Sequence, residues 1–381
     1  MPVPLAADFH RSEEVKEMAG FRVVLLESGY GSNRVEREIV SAAGGELIDA
    51  QDRPLEFRLE LCRDAHAILL RRVQVTAGMI AQFRRCRVIV RYGVGTDNID
   101  VEAATDAGII VANIPDYCID EVSTHAIGLL LDCVRDVSWT NARMRAGEWD
   151  VEREIKLYRM AGRTLGIVGL GQIGSEVARK LRSWNLRILA TDPYVEREHA
   201  ESLGVSLVTL ETLCRESDYL SLHLPLLPET HHLIGRREFG LMRRGSILVN
   251  TARGAVVDAA ALLEALDQGP LARAALDVFA EEPLPPASPL RRHPKVLLTD
   301  HLSWYSEDSQ TQLQRSAAVA AVTVCTGGLP GSLSNPLVLR KLGRFAEWQP
   351  APCMRWQLRR AQARSGDGKT ACDPGNPQLS P

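Results

Sequence analysis

The sequence has eight cysteines (Cys62, Cys86, Cys118, Cys133, Cys214, Cys325, Cys353 and Cys372) but no CxxC pair and no histidine–cysteine cluster at ligand spacing. Disulfide frameworks and structural metal sites announce themselves through such spacings. Neither is expected, and the thiols read as reduced ones in a cytoplasmic protein. No apolar run approaches the roughly 18 residues that a membrane-spanning helix needs, and the first residues mix Asp8, Arg11, Glu13, Glu14 and Lys16 without the apolar core of a secretory leader. Net charge is −3 with 24 % of residues charged. No global excess of either sign draws such a chain to nucleic acid or to an anionic membrane. Small neutral or anionic partners stay open.

The 381 residues point to two domains, at roughly 100–200 residues per domain. Short apolar runs recur at residues 21–26, 67–70, 87–90 and 109–111, with a helical pattern over 33–43. That alternation predicts an open parallel α/β sheet. A second alternation runs through 165–168, 187–190, 219–222, 247–250, 274–276 and 296–298, with helix-forming segments such as 175–184 and 259–266 between. Two long amphipathic stretches, 119–135 and 307–324, flank this block and are expected to act as hinges, carrying the chain into the second domain and back. From residue 343 the composition turns to Pro, Gly, Arg, Gln and Ser, which predicts a disordered tail over 343–381.

Gly169, Gly171 and Gly174 form a GxGxxG turn directly after the 165–168 run and before a helix starting near Ile173. Glycines so placed allow a tight turn, close approach of backbone N–H groups to a pyrophosphate, and close helix–strand packing. Asp192 ends the next strand, where a carboxylate accepts hydrogen bonds from ribose hydroxyls and repels a 2′-phosphate. The expected cofactor is therefore NAD. A helix N-cap ahead of Pro193 is the plainer alternative for Asp192, and Arg197 nearby keeps NADP in view. Further on, Arg253, Glu282 and His301 each stand just past a short apolar run. In a dinucleotide fold the carboxyl ends of the strands surround one crevice, so a cation, a carboxylate and an imidazole can meet there. That set suffices to reduce a 2-keto acid with a nicotinamide.

The motifs GLGQIG at 169–174, NTARGAVVD at 250–258 and LDVFAEEP at 276–283, together with His301, resemble the D-isomer-specific 2-hydroxyacid dehydrogenase family over about residues 21–341. Within it, HLSWYSE at 301–307 is most similar to the C-terminal-binding-protein branch, which combines a dehydrogenase fold with transcriptional corepression. The resemblance implies a Rossmann NAD-binding domain (118–303) inserted into a flavodoxin-like substrate domain (21–117 plus 304–342), after an N-terminal extension (1–20). It also implies a homodimer through the NAD-binding domains. Position by position, it makes Arg253 the substrate arginine, Glu282 the catalytic glutamate and His301 the acid/base. It places Gly169, Gly171, Gln172, Ile173, Gly174, Asp192, His223, Pro225, Thr230, Thr251, Ala252 and Asp277 at the cofactor. Asp277 reads equally as a buried structural carboxylate.

On the substrate side the resemblance points to Arg91, to backbone donors at Val94 and Gly95, and to Trp304. An indole suits an apolar substrate side chain and Arg91 an anionic one. These two signals pull the substrate in opposite directions. Two departures from the family stand out: Asp300 precedes the histidine where proline is usual, and ValSerThr occupies 122–124 where many relatives have ValAlaGlu. His125 reads as a packed or capping histidine, and the His231–His232 pair has no further ligand at metal spacing. The implied activity is NAD-dependent reduction of a small 2-keto acid. A dinucleotide-sensing scaffold and a phosphonate dehydrogenase are the alternatives.

Overall fold

A computed structural model describes residues 20–149 and 156–348. The described chain divides into two units, one taking the residues through Tyr117 and from Gln310 onward, the other Cys118–Ser309. The expected extension at 1–19 and most of the expected tail, 349–381, lie outside the described residues.

In the first unit five parallel strands, β1 (Arg22–Glu27), β2 (Glu46–Asp49), β3 (Ala67–Leu70), β4 (Val88–Arg91) and β5 (Ile110–Ala112), line up in the order β2-β1-β3-β4-β5. This is the flavodoxin-like order. The central strand AILL is buried throughout, as a parallel strand covered on both faces must be. Buried Val24, Ile68, Ile89 and Val111 from four strands form one cluster, each such side chain contributing roughly 1.5–3 kcal/mol. The helix Arg34–Ala42 carries a fully buried Glu36, whose carboxylate accepts hydrogen bonds from the Tyr92 hydroxyl and from Gln314 Nε2 on the long return helix Glu307–Cys325. At the start of the expected tail, Phe345–Glu347 form a 3-10 turn, Arg344 pairs with Glu347, and Trp348 is buried. The pair and the apolar anchor offset a polar composition.

The second unit holds seven parallel strands, β6 (Thr164–Val168), β7 (Arg187–Thr191), β8 (Ser206–Leu207), β9 (Tyr219–Leu222), β10 (Ser246–Asn250), β11 (Leu271–Leu276) and β12 (Val296–Leu298). Their order, β12-β11-β10-β9-β6-β7-β8, is the Rossmann arrangement extended by one strand. Apolar clusters cover both faces of this sheet, Leu220, Leu248 and Leu276 on one and Leu165, Ile167 and Val249 on the other. The crossing helix Ile119–Arg135 belongs to this unit and ends at Asp136 in the left-handed region. Asp136 there forms a buried ion pair with Arg273 of β11 at 2.6 Å, and the Trp139 ring stacks on that guanidinium at 3.9 Å. The return boundary falls at Ser309/Gln310 rather than the expected 303/304. The reason is that residues 302–306 stay bonded to Asp277 and Glu121 of the second unit.

Candidate active site

Directly after β6 comes Gly169, which has φ +89, and a Cβ there would stand 2.4 Å from the carbonyl oxygen of His223. Only glycine fits both demands. At Gly174, in the first turn of the dinucleotide helix Gln172–Leu181, a Cβ would stand 2.1 Å from the Gly169 carbonyl, so its absence lets helix and turn pack together. Gly171 differs: nothing lies within 4 Å of its missing Cβ. Open space beside the first N–H groups of a helix is what a pyrophosphate requires, with Gly171, Gln172 and Ile173 supplying the backbone.

Asp192 follows β7, and its two oxygens accept from the N–H groups of Leu170 and Tyr194 at 2.9 and 2.8 Å. The carboxylate is thereby fixed against the glycine turn, with lone pairs to spare for further donors. It caps no helix. His223, just past β9, has its imidazole pushed down to about 4 by burial, and its Nε2 lies 2.8 Å from Ser221 Oγ. It is a neutral group at physiological pH. The Thr230 hydroxyl, expected at the cofactor, is used within its own loop, donating to the Pro225 carbonyl and accepting from Leu227 N–H. Thr251 Oγ1, after β10, is buried without a hydrogen-bond partner. A buried hydroxyl of that kind at the carboxyl end of a dinucleotide sheet suits a polar ligand group, so the residues present fit a dinucleotide.

Asn250 shapes the turn that bears Arg253. Its side chain accepts from Ala252 N–H and donates to the Arg253 carbonyl, each at 3.0 Å. Directly after it, a Cβ on Gly254 would overlap the backbone of Phe279 at 1.9 Å. Glycine here lets the segment leaving β11 run against the Arg253 turn, and that segment carries Glu282. Glu282 Oε1 accepts from Phe279 N–H at 2.9 Å, and Oε2 lies 2.7 Å from His301 Nδ1. Burial raises the Glu282 carboxyl, but the hydrogen bond and charge of His301, the Phe279 N–H and the Arg253 guanidinium outweigh it and hold it below the usual glutamate range. Arg253 and His301 thus both act electrostatically on Glu282. A carboxylate on Nδ1 fixes the proton there and leaves Nε2 for proton exchange.

Asp277, expected at the cofactor or equally as a buried structural carboxylate, has the surroundings of the second. It is fully buried, and its carboxylate accepts from Thr299 Oγ1, Leu302 N–H and Ser303 N–H. Burial at the end of β11 commits it to the turn that carries His301. In the ValSerThr departure, Thr124 Oγ1 accepts from Lys180 of the dinucleotide helix, while Ser123 Oγ donates to the Ile119 carbonyl. Trp304 is half-buried, edge-on to Tyr305 at 5.5 Å.

In the first unit, Arg91 ends β4 and folds back over its own loop: a Cβ on Gly93 would meet its guanidinium at 1.7 Å. Val94 follows with its side chain exposed and its carbonyl accepting from Asn113 Nδ2 at 2.7 Å, then Gly95. The sequence gives no hint of the Phe279 N–H on Glu282, of the Asn250 turn or of a role for His125. The first two follow from backbone geometry and the third from a contact across 174 positions.

The sequence model described as the NAD binding domain of D-isomer specific 2-hydroxyacid dehydrogenases matches residues 127–303. The chain is 40 % identical over 259 residues to a glyoxylate reductase of Korarchaeum cryptofilum, covering 67 % of this chain and 78 % of that protein. It is 40 % identical over 305 residues to a D-3-phosphoglycerate dehydrogenase of Methanocaldococcus jannaschii, covering 79 % of this chain but only 58 % of that one. Among solved structures, a D-lactate dehydrogenase of Aquifex aeolicus complexed with NAD and lactic acid superposes with a TM-score of 0.73 at 25 % identity, covering 82 % of this chain and 98 % of that one.

Proposed function

The chain belongs to the D-isomer-specific 2-hydroxyacid dehydrogenase family, and from that premise we propose that it interconverts a small 2-keto acid and its D-2-hydroxy acid with NAD. The observation that carries the reading is the 2.7 Å contact of His301 Nδ1 with Glu282 within reach of the Arg253 charge. When bound, the nicotinamide supplies or accepts the hydride at the 2-carbon. Gly171, Gln172 and Ile173 hold the pyrophosphate on their N–H groups, and Asp192 the adenosine ribose. Arg253 grips the substrate carboxylate and polarises the keto oxygen through a rigid fork of donors, stabilising the negative charge that grows there. His301 gives the Nε2 proton to that oxygen in reduction and takes it back in oxidation. Glu282 holds the ring's orientation and balances the imidazolium charge.

Arg91, Val94 and Gly95 are assigned to the substrate carboxylate and its substituent, and Trp304 to a neighbouring apolar group. The scaffold and phosphonate readings gain no support from the relatives described above, which are named as a D-3-phosphoglycerate dehydrogenase, a glyoxylate reductase and a D-lactate dehydrogenase. For the assembly we favour a homodimer through the NAD-binding unit. Support comes from apolar side chains left outside on that unit: Val137 and Tyr158, more than half exposed, line a groove of about 730 Å³ with Leu131, Met160 and Trp184, and Trp149 is 84 % exposed. Among the described residues no helix is long and apolar enough to cross a membrane, and a cytoplasmic location is in keeping with the buried free thiols. The test is His301→Ala, which is expected to abolish turnover while leaving NADH affinity within a few fold; retained turnover refutes the acid/base assignment.

A further inference from the structure

His301 has φ +59, a region that a residue with a side chain enters only when its surroundings impose it. The turn that imposes it is held by an unusual number of directed contacts within one unit. The carbonyl of Asp277 accepts His301 N–H at 2.8 Å. Its carboxylate accepts Leu302 N–H at 2.9 Å, Ser303 N–H at 3.1 Å and the Thr299 hydroxyl at 2.6 Å. Four donors from residues 299–303 therefore converge on one buried residue at the end of β11.

The chain of contacts does not stop there. With its proton given to Asp277, Thr299 Oγ1 can only accept from His125 Nε2, 3.1 Å away, which fixes the His125 tautomer with its proton on Nε2. His125 stands on the crossing helix, its Nε2 also 3.6 Å from Asp277 Oδ1. One turn earlier on the same helix, Glu121 Oε1 accepts from the Ser306 hydroxyl at 2.6 Å. Residues four apart share a helix face. One face of the crossing helix thus grips the segment on both sides of His301, at Thr299 before it and at Ser306 after it.

We propose that the crossing helix positions the catalytic histidine. His125, acting through Thr299 on Asp277, and Glu121, acting through Ser306, are positioning residues that set His301 against Glu282. The proposal rests on the reading of His301 as acid and base, and it makes Asp277 the centre of this brace. Neither His125 nor Thr299 touches the reacting atoms. Their effect is on where the imidazole stands, and misplacement by about 1 Å can cost on the order of a hundredfold in rate.

The test uses the full chain, NADH and glyoxylate. Thr299→Val keeps the side chain's shape and removes the hydroxyl, and it is expected to lower kcat about ten- to a hundredfold with NADH affinity by fluorescence titration unchanged within about threefold. Thr299→Ser, which restores the hydroxyl, is expected to recover most of the rate. The loss falls on kcat while KM for glyoxylate stays within about threefold; a role confined to stability would not divide the two in this way. His125→Phe lowers kcat less, and combined with Thr299→Val it adds little, since both break one chain of contacts. A valine variant with the wild-type kcat overturns the proposal, as does one that loses NADH affinity in step with kcat. Should Thr299→Val fail to fold, Ser306→Ala and His125→Phe carry the same expectation, and wild-type rates in both overturn it. Retained turnover in His301→Ala would instead strike the underlying reading, so the two failures are distinguishable.

Discussion

Glutamine in place of Glu282 keeps an acceptor for His301 Nδ1 and removes only the charge, which makes it the cleanest probe of the dyad. At the observed 2.7 Å a pair of unit charges interacts by about 1.5 kcal/mol at the dielectric of water and about 6 kcal/mol at an effective value of 20. The two side chains are 36 % and 35 % exposed, which puts the pair near the screened end of that range. About 1.5 kcal/mol corresponds to about a tenfold change in rate. The carboxylate balances the imidazolium that donates the proton in reduction, so without it kcat for keto-acid reduction is expected to fall about tenfold, with NADH affinity unchanged within a few fold. The wild-type pair has its own acid limit. Because the Glu282 carboxyl is held below the usual range, its charge is fully present above the ordinary glutamate value of about 4.3 and is lost as pH falls through the lowered one. A Glu282→Gln variant that keeps the wild-type kcat, or that loses NADH affinity in step with it, refutes this account of the dyad.

The glycine turn makes paired predictions. Gly169→Ala places a Cβ 2.4 Å from the His223 carbonyl at φ +89 and should cost at least about 2 kcal/mol, read as a lowered denaturant midpoint, whereas Gly171→Ala, with open space around it, should fold normally and weaken NADH binding in a titration. Equal effects of the two would contradict the separate roles given to them. Asp192→Asn removes the charge that repels a 2′-phosphate and should raise the ratio of kcat/KM for NADPH over NADH by about tenfold; an unchanged ratio would place Asp192 away from the ribose. Sedimentation should give a dimer for the intact chain and a monomer for Trp149→Glu, and a monomeric intact chain would remove the assembly proposed for the exposed apolar face.

Much of the fold could be read from the sequence because both sheets are parallel and covered on both faces. Such strands are short continuous apolar runs, and the runs at Ala67–Leu70, Tyr219–Leu222 and Val296–Leu298 coincide with strands end to end. The two strands that left no such mark, Glu46–Asp49 and Ser206–Leu207, are sheet edges with a neighbour on one side only. Their composition is half polar, so periodicity had nothing to register. At the site, Arg253, Glu282 and His301 were visible because each ends an apolar run. Asp277 was legible as a buried carboxylate but not in the donors it gathers, since the direction of its hydrogen bonds is a property of the folded turn. His125 shows the same limit: its partner Thr299 is 174 positions away, and no local pattern relates the two.

The most direct measurement is NADH consumption by the wild-type chain and by His301→Ala against a panel of 2-keto acids that includes glyoxylate, pyruvate, hydroxypyruvate, phosphohydroxypyruvate and phenylpyruvate. The account predicts turnover of at least one member by the wild type and a loss of about a hundredfold or more in the variant, the usual contribution of a positioned acid, with NADH still bound. Tight NADH binding without turnover of any 2-keto acid, or turnover that survives the loss of His301, would contradict it.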